Sequence, residues 1–178
     1  MTVINAIAAI CRGRGLGNEG HIPWYDPIDL ARFKLFTKGN IVIMGSGTWK
    51  SLGQYNRPLK SRDNFIITSN AEEVLGEAAS WDFNAGYSVQ VFDCSFCAID
   101  KAIDKANEDN QTIWAIGGQS IYEQFLPFSQ YLHLTIIDRH YEFDRVFPEY
   151  ENKFRLIQCE PHPEDQDVTF NTYERISS

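Results

Sequence analysis

The chain has 178 residues, 43% of them hydrophobic and 22% charged, and carries a formal net charge of −8. That length suits one domain with one substantial core, and the composition excludes a disordered or fibrous chain. The acidic balance disfavours non-specific attachment to nucleic acid or anionic membrane, but permits an anionic small ligand where basic residues are placed locally.

The first run, "TVINAIAAI", is apolar almost throughout and reads as a strand buried on both faces. It lacks a preceding basic segment and is too short to cross a bilayer, so a soluble, cytoplasmic protein is expected. "CRGRGLGNEGHIPW" follows, with Gly13, Gly15, Gly17 and Gly20 packed into eight residues. This composition predicts a mobile loop. Its G-x-G-x-G spacing fails the dinucleotide fingerprint and suits a flexible lid over a site. A helix is predicted from Asp26-Pro27 to Gly39, with Asp26 as N-cap, Pro27 at the first position and Gly39 just past the end.

"NIVIMG" is a second buried strand, "SGTWKSLG" a short helix and "NFIITS" a third strand. Residues 70 to 87 are mixed and polar, and no element is assigned there. "YSVQVF" reads as a strand, and "SFCAIDKAIDKANED" as an amphipathic helix with Ala98, Ala102, Ile103 and Ala106 on one face. "TIWAIGG" is a fifth strand running into the helix "QSIYEQFL". Beyond Pro127 come three strand-like pieces, "YLHLTIID", "KFRLIQCE" and "VTFNTYERI". Alternating strands and helices followed by strands alone predict one α/β domain over residues 1–178. Its sheet should be mainly parallel, with helices on both faces and an antiparallel edge from the C-terminal strands.

Cys94 and Cys97 form a C-x-x-C, and Cys11 and Cys159 stand alone. No histidine stands at the spacing that would complete a zinc site, so no metal is expected. Ser-Phe between Cys94 and Cys97 lacks the Gly or Pro usual in thioredoxin-like motifs. Reduced structural thiols are therefore the favoured reading, with a redox pair as the alternative.

In an open α/β sheet, ligands bind beyond the carboxyl ends of the strands. Four segments meet that description: the Gly-rich loop, "MGSGTW", "ITSN" and "IGGQS". Glycines 45 and 47, and 117 and 118, each follow a strand and open a helix, so their N–H groups favour a phosphate. The same glycines would also suit tight turns that bind nothing. Asp29 is the third residue of the first helix, where an acid complements the helix dipole. It also shares a face with Phe33 and Phe36, with Leu30 bordering it. A carboxylate so placed is partly desolvated, and its pKa should rise unless a donor meets it. Physics alone leaves cap and site equally open for Asp29.

Taken together, "EGHIPWYDPIDLARFK", "IVIMGSGTWKSLG", "RPLKSRDNFIITS", "AIGGQSIYEQFLP" and "LHLTIID" resemble dihydrofolate reductase in order and spacing, across about residues 3 to 174. The resemblance implies a mixed, mainly parallel eight-stranded sheet with an antiparallel C-terminal edge, flanked by four helices. It implies a monomer that reduces 7,8-dihydrofolate to 5,6,7,8-tetrahydrofolate with NADPH, by hydride transfer to C6 and protonation of N5. That product supplies one-carbon metabolism and nucleotide synthesis.

By the same resemblance, Asp29 binds the 2-amino group and N3 of the pterin, Thr135 bonds that acid, Trp24 helps hold a water, and Tyr122 promotes protonation electrostatically. Ile7, Ala8, Leu30, Phe33 and Leu52 wall the pocket. Arg62 takes the glutamate carboxylate of the substrate, and Arg57 borders it just after a short "QYN" insertion. Ala9 and Leu16 flank the nicotinamide, and Gly17, Asn18 and His21 belong to the lid. Gly47, Thr48, Ile116, Gly117, Gly118, Gln119, Ser120, Ile121 and Tyr122 line the pyrophosphate cradle, with a cis peptide at the paired glycines. Thr68 and Ser69 face the adenosine phosphate. Ser46 and Gln119-Ser120 stand where relatives often carry basic residues, which leaves NADH open as a second electron donor. Two rival readings are a same-fold reductase of riboflavin synthesis, which should lack the Pro23, Trp24 and Asp29 pattern, and a non-catalytic pteridine- or nucleotide-binding protein.

Overall fold

A computed structural model describes residues 2–78, 81, 84 and 86–176. The predicted domain therefore extends slightly past the described residues at both ends. Strand β1 (Ile4–Cys11) lies near the middle of an eight-stranded sheet and is flanked by parallel partners, β6 (Ile113–Gly117) and β7 (Tyr131–Ile137). From β3 (Ile41–Gly45) the chain steps outward to β4 (Asp63–Ile67) and β5 (Ser88–Phe92), all parallel, then returns to insert β6 between β3 and β1. Beyond β7 come β10 (Val168–Arg175) and β9 (Phe154–Pro161), paired antiparallel as the edge.

Strand side chains alternate between the faces, so each inner strand feeds two cores. Ile41, Ile43, Phe65, Ile113 and Ala115 face one side, where α4 (Ser95–Asp109) and α5 (Gln119–Phe125) contribute Ala98, Ala102, Ala106, Ile121 and Phe125. Val42, Met44, Ile66, Trp114 and Ile116 face the other side, with Trp49 from α2 (Ser46–Ser51) and Phe33 and Phe36 from α1 (Pro27–Thr37). Both faces being covered explains why these strands read as nearly continuous apolar runs.

Two features exceed the sequence reading. The structure has five α-helices among the described residues rather than four. The additional one is α3 (Ala71–Leu75), capped by Asn70, whose Oδ1 accepts the Glu73 N–H at 3.4 Å. The Gly-rich segment also carries a short strand, β2 (Gly15–Gly17), paired antiparallel with β8 (Arg145–Val146). Glycine is required at position 15, where an added Cβ would collide with the Phe143 ring and lie 2.7 Å from the Cys11 sulfur. The absent side chain is what lets Phe143 close over the ribbon.

The turn leading into β4 is held by one buried side chain. Asn64 Oδ1 accepts the Leu59 N–H at 2.9 Å, and Nδ2 donates to the carbonyls of Leu59, Arg62 and Ser88 at 3.0, 3.1 and 3.2 Å. An apolar residue here deprives the buried Leu59 N–H and carbonyl of this partner, while the Arg62 carbonyl keeps only the Ser88 N–H, at 3.3 Å. Asn64→Leu is expected to destabilise the fold by about 3 kcal/mol in urea unfolding.

Candidate active site

Since β1, β3 and β6 are adjacent and parallel, the segments after their carboxyl ends gather at one end of the sheet: the lid, the start of α2 and the start of α5. Helix α1 begins at the same end. Asp26 caps it as predicted, its Oδ1 accepting the N–H of Ile28 at 2.9 Å and of Asp29 at 3.2 Å. The Asp26 Oδ2 faces buried His162 at 3.2 Å, a contact between residues 136 positions apart.

The Asp29 side chain turns away from the cap. Its Oδ1 accepts the hydroxyl hydrogen of Thr135, a residue of β7 that is 1% exposed. Burial pushes the Asp29 carboxyl above the usual range, and the nearby Asp26 carboxylate adds to this. The Thr135 hydroxyl, Arg32 and His162 pull the other way. The side chain is therefore a half-buried acid with one dedicated donor. That donor comes from the strand the sequence resemblance named.

Arg32 is a neighbour that the sequence reading missed. It follows Asp29 by three residues, so both occupy one helix face. Its guanidinium lies 4.8 Å from the Phe36 ring centre and 5.0 Å from that of Phe170. Its Nη1 is buried with no hydrogen-bond partner among the described residues, and burial lowers its pKa. His133, 4.8 Å from the Phe36 ring and 5.2 Å from Trp114, is pushed by burial down to about 4 and so adds no charge at neutral pH. The i, i+3 spacing was the available signal for Arg32. No local signal pointed to His162.

The pocket walls fall into place unevenly. Ile7 and Ala8 are buried on β1, whereas Phe33 and Leu52 are partly buried against the second core. Leu30 remains 51% exposed, and the partly buried Trp24 ring packs 5.3 Å from Tyr141. The two arginines differ sharply. Arg57 spends its guanidinium on Glu77, at 2.9 and 2.5 Å, and on the carbonyls of Trp49 and Lys50. Arg62 is 7% exposed and donates to Thr37 Oγ1 and the Lys60 carbonyl, both at 2.9 Å, with no carboxylate among its described partners. Desolvation lowers its pKa, a condition that an anionic ligand would relieve.

At the glycine turns, the Gly117–Gly118 peptide is cis. Gly117 has φ 124°, and an added Cβ there would lie 3.0 Å from Thr48 Oγ1 and 3.3 Å from the Tyr122 hydroxyl. Gly45 and Gly118, which precede α2 and α5, make no side-chain cap bond, so no capping side chain meets the first N–H groups of either helix. Gly47 faces open space. Ile116, Ile121 and Tyr122 are buried behind the cradle and Ser120 is exposed. Tyr122 donates to the Ile7 carbonyl at 2.8 Å, and burial raises its pKa so that it stays neutral. Gln119 ties the cradle to β8, its Oε1 accepting the Val146 N–H at 3.0 Å. Thr68 is buried at the end of β4, its Oγ1 accepting the Asn70 N–H at 3.1 Å, beside exposed Ser69.

In the lid, Asn18 and His21 exchange backbone bonds of 2.9 Å in both directions. A Cβ on Gly17 would lie 2.8 Å from the His21 carbonyl oxygen. The Asp144 N–H donates to the Gly17 carbonyl at 3.0 Å, Leu16 packs on the core, and Ala9 lies beside Thr135 in the sheet.

Fold and site together define a class: a single-domain α/β protein with a half-buried acid and paired glycine turns at one end of a mainly parallel sheet. A family model described as "Dihydrofolate reductase" matches residues 3–175. The chain is 30% identical over 181 residues to the dihydrofolate reductase of Bacillus subtilis (strain 168), covering 99% of this chain and 96% of that protein. It is 33% identical to dihydrofolate reductase HdrB of Haloferax volcanii (95% and 81% covered). It is 37% identical to the dihydrofolate reductase of Buchnera aphidicola from Acyrthosiphon pisum (83% and 80%). The chain belongs to the dihydrofolate reductase family.

Two measurements test the electrostatics. Asp29 has a folded-state pKa above that of the unfolded chain, so its contribution to stability is greatest at low pH and is lost as pH rises through the folded value. Asp29→Asn removes that loss. Its melting temperature should exceed that of the parent by a few degrees at about pH 7, and the gap should narrow toward pH 4. Arg32→Met removes a cation that favours the carboxylate. The Asp29 side-chain resonance should then titrate at higher pH than in the parent, with Arg32→Lys lying between them.

Proposed function

We propose that the protein reduces 7,8-dihydrofolate to tetrahydrofolate with NADPH. The observation that carries this reading is the half-buried Asp29 carboxylate with its Thr135 donor, facing the end of the sheet where the glycine turns converge. Such a carboxylate matches the paired N–H donors of a pterin's amidine edge, a charge-assisted bidentate contact that also fixes the ring's orientation. Ile7, Ala8 and Phe33 supply apolar walls, and buried Arg62 awaits the glutamate carboxylate of the substrate.

When bound, NADPH supplies the hydride that goes to C6. The residues present fit that cofactor. Uncapped N–H groups at the starts of α2 and α5 suit a pyrophosphate, and Gly117–Gly118 permits close backbone approach. Thr68 and Ser69 offer hydroxyls to the adenosine phosphate. The chain's own work is placement and polarisation. Asp29 orients the pterin and favours the protonated N5. Trp24 helps hold the water that delivers that proton. Tyr122 stays neutral and anchors the Ile7 carbonyl, shaping the wall beside the reacting ring.

Purified protein mixed with NADPH and dihydrofolate should consume nicotinamide absorbance, and Asp29→Asn should lower kcat by at least about a hundredfold at neutral pH. Absence of turnover, or an undiminished Asp29→Asn enzyme, rejects the reading. Arg62→Leu deletes a contact made equally in ground and transition states, worth about 2 kcal/mol. It should raise KM for dihydrofolate about thirtyfold with little change in kcat. A loss confined to kcat would place Arg62 elsewhere.

A further inference from the structure

Helix α1 carries Asp29 in its first turn, yet its firmest anchorage lies at the opposite end. Among its described residues only Thr37, in the last turn, is buried. The segment leading into the helix adds little, since Ile22 and Tyr25 are both exposed. What ties the start of α1 to the body of the protein is the contact between Asp26 and His162. This histidine follows edge strand β9 and is buried. Its backbone N–H donates to the Val168 carbonyl at 3.0 Å, and its Nδ1 accepts the Glu164 N–H at 3.1 Å. With Nδ1 so engaged, Nε2 carries the ring hydrogen. That N–H faces the Asp26 carboxylate, 3.2 Å from Oδ2 and 3.4 Å from Oδ1. The ring also packs on Phe170, with 5.4 Å between centres, and Phe170 lies opposite Thr135 in the β7–β10 pairing. One imidazole thus bears on both sides of the Asp29–Thr135 contact, on the helix through its cap and on the sheet through the strand beside Thr135.

We propose that His162 is a positioning residue for dihydrofolate reduction: through Asp26 it fixes the start of α1, and with it the place where the Asp29 carboxylate meets the pterin. This role rests on the reaction proposed above. The Asp26 carboxylate takes two N–H groups from the helix and one from the ring, so a shift of the imidazole is passed to the first turn that carries Asp29. A hydrogen bond to an ionised carboxylate is both strong and directional. It is also a tertiary contact, made across 136 residues of chain, and not part of the helix's own capping. Misplacing Asp29 costs pterin orientation, because catalysis by positioning is sensitive to small displacements. The glycine cradle stands on α2 and α5, which the histidine does not touch, so cofactor binding is spared.

Substitutions on both sides of the contact separate this role from plain capping and from fold stability. Asp26→Asn keeps an oxygen for the Ile28 and Asp29 N–H groups, since Asn caps a helix as well as Asp, but sets an NH2 group against the His162 N–H. His162→Phe keeps a ring beside Phe170 and removes the donor. Each should lower kcat/KM for dihydrofolate about tenfold while KM for NADPH stays unchanged. The double variant should be no worse than either single one, because both break the same contact. His162→Gln, which still offers an N–H to Asp26, should recover most of the loss. Amide hydrogen exchange reads the anchor without substrate. In His162→Phe the Ile28 and Asp29 N–H groups should exchange about tenfold faster, with the amides of α4 unaffected. Absence of turnover in the parent rejects the reaction, whereas unchanged exchange at Ile28 and Asp29 rejects the anchor. Additive losses, an Asp26→Asn enzyme equal to the parent, an equal rise in KM for NADPH, or faster exchange throughout the protein would overturn the proposal.

Discussion

The hydrogen bond from Thr135 to Asp29 joins a strand inside the sheet to the first turn of α1, across 106 residues of sequence. Removing a carboxylate from water is costly, and the surrounding architecture can be read as the set of contacts that make it tolerable. Asp26 takes over the capping of the helix, freeing Asp29 to turn inward. Thr135 is fixed between β1 and β10, beside Ala9 on one side and Phe170 on the other, so its hydroxyl has little freedom to point elsewhere. Arg32 adds a positive charge behind the same helix face without forming a close pair that would neutralise the acid.

Arg62 presents the same logic with the opposite sign. A buried guanidinium is held by a hydroxyl and a carbonyl, over the Phe33 ring at 5.7 Å. Asn64 fixes the turn that carries it. An acid at one position and a cation at another, both short of solvent, suit the proposed substrate, which is polar at its ends and apolar between. The walls from β1 and α1 complete that description.

Much of this was legible in the sequence because the relevant signals are local. Apolar runs marked the inner strands, Asp26-Pro27 and Gly39 marked the ends of α1, and glycines marked the strand-to-helix turns. What escaped depends on long-range contact. The β2–β8 ribbon pairs a glycine segment with residues near 145, and neither partner has a strand-like pattern by itself. Helix α3 is five residues long, too short for periodicity to show. That Arg57 is paired with a carboxylate depends on Glu77, twenty residues on, which no local pattern ties to it.

Gln119 reaches from the glycine cradle to Val146, and Val146 pairs with Gly15 in the lid. Cradle, ribbon and lid thus form one hydrogen-bonded chain, and a displacement at either end must be accommodated at the other. Linkage makes that traffic reciprocal: a molecule held better by one lid position shifts the lid by the same free energy that the lid contributes to holding it. Any molecule held at the glycine turns is thereby coupled to the lid through the ribbon.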